Sequence, residues 1–149
     1  MKTGTTSLSY SSNPSLAFLE TKIENGNKVI IDGNRSVSTP YSNQLTLKKD
    51  NSFERTLEEN STKTTQFGSW SFLNKNKDQK LKNKEAILLS IDGFTINGVT
   101  TVNTGLFLSE IYLIDRLSNK ELIFKGETTN NYTSGDVEVY KYEFGFDKI

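Results

Sequence analysis

The amino-acid sequence predicts an all-β protein, an up-and-down antiparallel β-barrel of about 8–10 strands with little or no helix. Three observations carry this prediction. Apolar and polar residues alternate over many short segments, which is the pattern of half-buried strands. Turn signals such as Asn-Gly and Asp-Gly separate most of these segments. The chain also contains 15 Asn, 17 Thr and 16 Ser among its 149 residues, a composition that favours turns and exposed strands over helices.

Ten segments carry the strand pattern. They are, in chain order, residues 16–23, 28–31, 44–48, 53–58, 64–73, 85–91, 94–102, 105–117, 121–125 and 136–146. The turn signals that join or interrupt them are Asn25-Gly26, Asp32-Gly33, Asp50-Asn51-Ser52, Asp92-Gly93, Asn97-Gly98 and Ser118-Asn119. Consecutive hairpins without long crossovers favour closure into a barrel, which removes the edges of a sheet. A two-sheet sandwich is the competing solution.

Several stretches are predicted to lie outside the strands. Residues 1–14, rich in Ser and Thr, are predicted to be a flexible tether that precedes one domain of residues 15–149. Residues 35–43 are polar and contain Pro40, and residues 126–135 are rich in Thr and Asn, so we predict a loop at each. The run of lysines in 75–84 is interpreted as a solvated connection.

The composition excludes several kinds of chemistry. Because the chain has no His and no Cys, it lacks Cys/His zinc sites, a Ser-His-Asp triad, a Cys nucleophile, thiol redox chemistry and a His-ligated haem. Its 18 Lys and Arg balance 18 Asp and Glu, which gives no field to attract nucleic acid. Acidic residues are scattered and form no calcium-loop spacing. We therefore predict no enzyme activity, no metal site and no cofactor.

Three segments carry a family resemblance: LTLKKDNSFERTLEE, TTQFGSWSFL and KEAILLSI. They resemble lipocalin-like domains of secreted Gram-negative bacterial lipoproteins, in which a turn of the type "DGs(F/Y)" precedes a "G-x-W" strand. The matching positions here are Asp50-Asn51-Ser52-Phe53, Gly68-Ser69-Trp70 and, in a later strand pair, Tyr112, Ile114, Leu117, Ser118 and Leu122.

The resemblance implies a lipocalin-like barrel in the cell envelope. Contact with a membrane would then be made only through an N-terminal lipid anchor, whose Cys is absent from this chain. This location holds if the chain is trimmed from a longer precursor. A cytoplasmic location follows instead if Met1 is the native start.

A barrel of about eight strands either fills its interior with side chains or holds one small ligand. The candidate lining residues for a ligand are Arg55, Trp70, Phe72, Tyr112, Phe124, Tyr140 and Tyr142. The alternative is that the aromatic residues pack the core. For Trp70 we expect a structural role that closes the end of the barrel, with its indole N–H bound to a partner.

Arg55 shares strand parity with Phe53 and Leu57, so it is predicted to face the interior. A buried Arg needs an anion. That anion is either a ligand carboxylate or a protein group such as Asp115 or Glu110, unless a bulge turns Arg55 outward.

Two function hypotheses follow. The first is a non-enzymatic envelope module that binds a small hydrophobic ligand inside the barrel. The second is a structural or protein-interaction domain with a solid core and no ligand.

Overall fold

Ten antiparallel strands close into an up-and-down β-barrel, which confirms the predicted fold class. The computed structural model describes residues 1, 3–10, 17–73, 85–104, 108–118, 121–131 and 137–147. The strands are β1 (Thr3–Tyr10), β2 (Ala17–Glu24), β3 (Asn27–Asp32), β4 (Arg35–Leu47), β5 (Ser52–Glu59), β6 (Thr62–Leu73), β7 (Ala86–Ile96), β8 (Val99–Val102), β9 (Leu108–Leu117), β10 (Glu121–Asn131) and β11 (Val137–Asp147).

Neighbours in the chain are neighbours in the sheet around the whole ring, except at β8. This short strand pairs with the second half of β7 and projects as a hairpin, while β9 pairs with the first half of β7. β6 pairs with β7 along the length of both strands. No helix long and apolar enough to cross a membrane occurs in the described part of the chain.

The predicted hairpin turns are present where the main chain needs a left-handed conformation. At the β2–β3 turn, φ is 51° for Asn25 and 75° for Gly26. At the β7–β8 turn, φ is 47° for Asn97 and 88° for Gly98. Asn and Gly adopt these angles at low cost, so the sequence marks both turns correctly. The turn predicted at Asp92-Gly93 is wrong, because β7 continues through both residues to Ile96.

The prediction of a tether over residues 1–14 is wrong for the part that the structure describes. Thr3–Tyr10 is strand β1, which pairs with β11 on one side and with β2 on the other. The sequence did not predict this strand because its residues are mostly polar. A strand that is hydrogen-bonded to a neighbour on each side needs few apolar side chains of its own. The remaining residues, 11–14, and the lysine-rich run of 75–84 lie outside the described residues.

The loop predicted over residues 35–43 is also wrong, because these residues belong to β4. The register between β3 and β4 accommodates Pro40, because it requires no hydrogen bond to β3 from the proline nitrogen. The N–H of Tyr41 donates to the carbonyl of Gly26 at 2.8 Å, so the opposed pair Asn27–Pro40 makes no mutual hydrogen bonds. The nitrogen of Pro40 therefore points away from β3, at a position just beyond the end of the β5 pairing.

The loop predicted over residues 126–135 is wrong for residues 126–131, because these extend β10 and pair with β11 as far as Asn131. The rest of that predicted loop, residues 132–135, lies outside the described residues. Thr and Asn suit an exposed strand as well as a loop, so composition alone did not distinguish the two.

The interior of the barrel has two unlike halves. What we call the aromatic half contains fully buried side chains, namely Phe53, Ile87, Leu89, Phe124 and Phe146. Strand alternation turns a second set towards the interior, and these side chains keep partial solvent exposure. We call this set the open half, and it consists of Leu8, Leu19, Ile30, Leu57 and Gln66.

The barrel wall separates between β9 and β10. Among the described residues, three pairs join these strands, namely Leu117–Leu122, Arg116–Ile123 and Ile114–Phe124, with a register shift before the last. Beyond Phe124, β10 stays paired with β11 while β9 follows β7. We call the space between residues 108–113 and 125–131 the seam. At its closed end the N–H of Leu113 donates to the Tyr142 hydroxyl at 3.1 Å.

Gly68 lies at a bulge where β6 meets β7. A Cβ atom there would collide with the main-chain carbonyl oxygen of Ser90 and lie 3.0 Å from the nitrogen of Asp92. Because main-chain atoms of a central strand cannot move aside easily, we predict that Gly68→Ala lowers the free energy of unfolding by about 3 kcal/mol. Urea denaturation measures this loss. Ser69→Ala at the exposed neighbouring position is the control, and an equal effect of the two substitutions would contradict the prediction.

Candidate functional site

A polar cluster lies inside the barrel between its two halves. The Arg55 guanidinium on β5 donates from Nη1 to Glu110 Oε2 at 2.9 Å and from Nε to Asn43 Oδ1 at 3.2 Å. Nη1 also lies 3.3 Å from the Tyr112 hydroxyl. We use the name polar cluster for Arg55, Glu110, Tyr112 and Asn43.

The prediction that Arg55 faces the interior and needs an anion is confirmed. Its side chain is 13% exposed, and of the two protein partners considered, Glu110 is the one in contact. Asp115 belongs instead to the outer side of β9, where it lines a depression of the barrel surface. The interpretation that a bulge turns Arg55 outward is wrong.

Exposure differs sharply within the polar cluster. Asn43 is 1% exposed and binds Arg55 from the buried side. The Glu110 side chain is 32% exposed, although strand register places it opposite the buried Leu89 on the interior face. Because Glu110 belongs to the β9 segment that borders the seam, we infer that water reaches the cluster through the seam.

Tyr112 connects the polar cluster to the aromatic half. Its hydroxyl donates to Glu110 Oε2 at 2.5 Å, and its ring stacks on Phe124 with centroids 5.0 Å apart. Its ring also meets Phe144 edge to face at 6.2 Å. Burial raises the pKa of the Tyr112 hydroxyl well above its usual value and outweighs the opposing effect of Arg55. Tyr112 is therefore a neutral hydrogen-bond donor at physiological pH.

Arg55 keeps its charge despite burial. Desolvation alone would lower its pKa, but Tyr112 and Glu110 raise the pKa of the guanidinium above its usual value. The cluster thus holds one fixed positive charge against one carboxylate, with no net charge left over.

Two further tyrosines of β11 extend the aromatic wall. The rings of Tyr140 and Tyr142 lie 6.1 Å apart, and burial raises the pKa of both hydroxyls. Gly126 makes room for Tyr142, because a Cβ atom at that position would collide with the phenol. The hydroxyl of Tyr140 interacts with Thr6 of β1, at the boundary of the open half.

The remaining two predicted lining residues lie at the rim of the aromatic half. The Trp70 indole N–H donates to the carbonyl of Lys48 at 3.0 Å, which confirms the expected partner for that group. Phe72 contacts Trp70 edge to face at 5.2 Å but is 52% exposed, so its prediction as an interior residue is wrong. Phe72 does lie on the same face of β6 as Trp70, as strand alternation predicts, but the end of this strand extends beyond the core.

The structure therefore brings together five of the seven predicted lining residues. They are Arg55, Tyr112, Phe124, Tyr140 and Tyr142. The sequence-based site omitted Asn43 because it fell within a predicted loop, and it treated Glu110 only as one partner option. The signal for Asn43 was its parity with Leu45 and Leu47, which becomes visible once residues 35–47 are treated as one strand.

Other surfaces of the described residues offer less for a ligand. A depression of about 630 Å³ crosses the outer wall of β2, β1, β11 and β10, but its charges are largely paired, as in Lys125–Glu143 at 2.7 Å. A second, of about 490 Å³, lies beside the β2–β3 turn. The described residues contain no group of three or more acidic side chains that could hold a metal ion.

We predict that Glu110→Gln lowers the free energy of unfolding by about 2–3 kcal/mol, because Arg55, whose side chain is 13% exposed, is left in the interior without its anion. The double variant Arg55→Met/Glu110→Gln removes both charges and should recover most of that loss. Glu121→Gln breaks an exposed ion pair with Arg116 and should cost less than about 1 kcal/mol. Urea denaturation compares the variants. A double variant as unstable as Glu110→Gln would contradict the assignment.

The buried tyrosines predict a loss of stability at alkaline pH. Above the ordinary tyrosine pKa of 10.0 the unfolded chain ionises, whereas Tyr112, Tyr140 and Tyr142 resist ionisation when folded. A raised folded-state pKa gives stability that is complete below the unfolded-state pKa and is lost as pH rises from there through the folded-state pKa. Urea denaturation at increasing pH should show this fall, with a smaller fall in Tyr112→Phe. A phenolate absorbance of Tyr112 that titrates at the ordinary pKa would contradict it.

Comparison of the chain with family models, with curated proteins and with solved structures found no match. Its function is therefore inferred from the polar cluster and from the two halves of the barrel interior.

Proposed function

We propose that this protein is a non-enzymatic binding module that holds a small hydrophobic molecule in the open half of the barrel. One observation carries the proposal. Leu8, Leu19, Ile30 and Leu57 face the interior by strand alternation, yet each keeps partial exposure to solvent. Aliphatic side chains at the centre of a finished core are normally fully buried, as Ile87 and Leu89 are in the aromatic half.

The favourable free energy of binding would come from covering these four aliphatic side chains of the open half. Each Å² of apolar surface removed from water contributes roughly 25 cal/mol, so a ligand that covers four such side chains and buries its own chain gains several kcal/mol. Part of that gain offsets the loss of ligand freedom. Binding sites of this kind are mostly apolar with a few fixed polar groups, and the polar cluster would supply those groups.

The family resemblance supports the same function. The lipocalin-like motifs around Asp50 and Gly68 suggest a domain of an envelope lipoprotein, and we include that location and the lipid anchor in the proposal. Both rest on the motifs alone. A closed antiparallel barrel agrees with the fold that the resemblance implies.

A second candidate function is a structural or protein-interaction domain with a solid core. The observation that favours it is β8, which pairs with β7 alone within the described part of the sheet and exposes Val99 and Val102. An exposed apolar edge strand is a template for pairing with another chain.

Isothermal titration with decanol tests the ligand proposal. The wild-type protein should bind decanol with saturation at one site. Leu57→Trp should abolish or strongly weaken binding, because the indole fills the open half. Thr21 shares the inward face of β2 with Leu19 by strand alternation, so Thr21→Trp serves as a second variant.

Thr46→Trp is the matched control, because Thr46 is exposed on the outer face of β4. It adds the same indole outside the barrel and should leave decanol binding unchanged. Circular dichroism establishes that each variant is folded. If wild-type protein does not bind decanol, or if both interior variants bind it as well as wild type, the ligand proposal fails and the second candidate is favoured.

A further inference from the structure

The polar cluster contains one fixed partner and one exposed partner, and this difference bears on the chemistry of the ligand. Arg55 is held from the buried side by Asn43 and lies against Tyr112. Glu110 is the more exposed member, and the two hydrogen bonds that hold it in the cluster both reach the same oxygen, Oε2. Of the two charged groups, Glu110 is therefore the one able to leave.

We propose that Glu110 stands in for the carboxylate of an amphiphilic ligand, which displaces it from Arg55 and Tyr112. The ligand class is an anion with a carboxylate head and an apolar chain. This inference rests on the proposed function, since the apolar chain would occupy the open half.

The exchange replaces the carboxylate of Glu110 with the carboxylate of the ligand. A ligand carboxylate would accept the hydrogen bonds from Arg55 Nη1 and the Tyr112 hydroxyl that Glu110 Oε2 accepts now. Arg–carboxylate bonds are charge-assisted and directional, so the head group would be oriented as well as attracted. Tyr112 remains a donor throughout, because burial raises the pKa of its hydroxyl and outweighs the opposing effect of Arg55.

The displaced Glu110 would regain water. Its side chain is already 32% exposed and its strand borders the seam, so rotation towards solvent removes little packing. A charged side chain that stays in the interior without a partner would be costly, and the seam avoids that cost. An uncharged head group would gain less binding free energy at Arg55, because it cannot neutralise the guanidinium once Glu110 has left.

The geometry also argues against a cationic ligand. A cation that entered at the seam would approach Glu110, but Arg55 lies 2.9 Å behind that carboxylate and would repel it. An anion is attracted by the same Arg55 as soon as Glu110 turns away.

Isothermal titration with decanoate and with decanol tests the inference, since the two probes share a chain and differ in the head group. Wild-type protein should bind decanoate more tightly than decanol. Glu110→Gln removes the competing charge and should raise the ratio of decanoate affinity to decanol affinity by about tenfold. Arg55→Met/Glu110→Gln removes both charges and should abolish the preference for decanoate while still binding decanol.

Glu121→Gln is the matched control, because it removes a carboxylate from an exposed ion pair on the outside of the barrel. It should bind both probes as wild type does. The inference is overturned if Glu110→Gln leaves the ratio of the two affinities unchanged, or if wild type binds decanol as tightly as decanoate. In either case decanol binding still supports the proposed function. If wild type binds neither probe, both proposals fail.

Discussion

The pairing of β1 with both β2 and β11 is the constraint on which the rest of the structure depends. It joins β11 to β2 and so closes the ring of ten strands. Closure gives the protein an inside, and strand alternation then divides every side chain between that inside and the solvent. A polar strand performs this task because its neighbours on both sides satisfy its main chain.

Closure also explains how an arginine comes to lie in an apolar barrel. Arg55 and Glu110 are on strands far apart in the chain, and the ring brings them face to face across the interior. Tyr112 joins this ion pair to Phe124, on which its ring stacks, and to Phe144, which its ring meets edge to face. The aromatic half therefore packs against one side of the polar cluster, and the seam and the open half leave its other side accessible.

The strands that the sequence predicted correctly are those in which apolar and polar residues alternate, and the Asn-Gly turns are also correct. The strands that it missed have a common cause. Residues 3–10, 35–43 and 126–131 are polar and exposed, and they are strands because adjacent strands pair with them. Local composition carries no information about such pairing, so Thr, Ser and Asn were taken as signs of tethers and loops.

The sequence by itself determined the fold class, most strand positions, the Asn-Gly turns and the inward direction of Arg55, because a period of two residues and a turn signal are local properties. Only the tertiary structure decided that Glu110 and not Asp115 meets Arg55, that Asn43 is buried beside them, and that the wall opens between β9 and β10. These outcomes depend on the register of strands that are distant in the chain and on a bulge between Ile123 and Phe124. A shift of one residue reverses the face of every following side chain, so no local pattern can fix them.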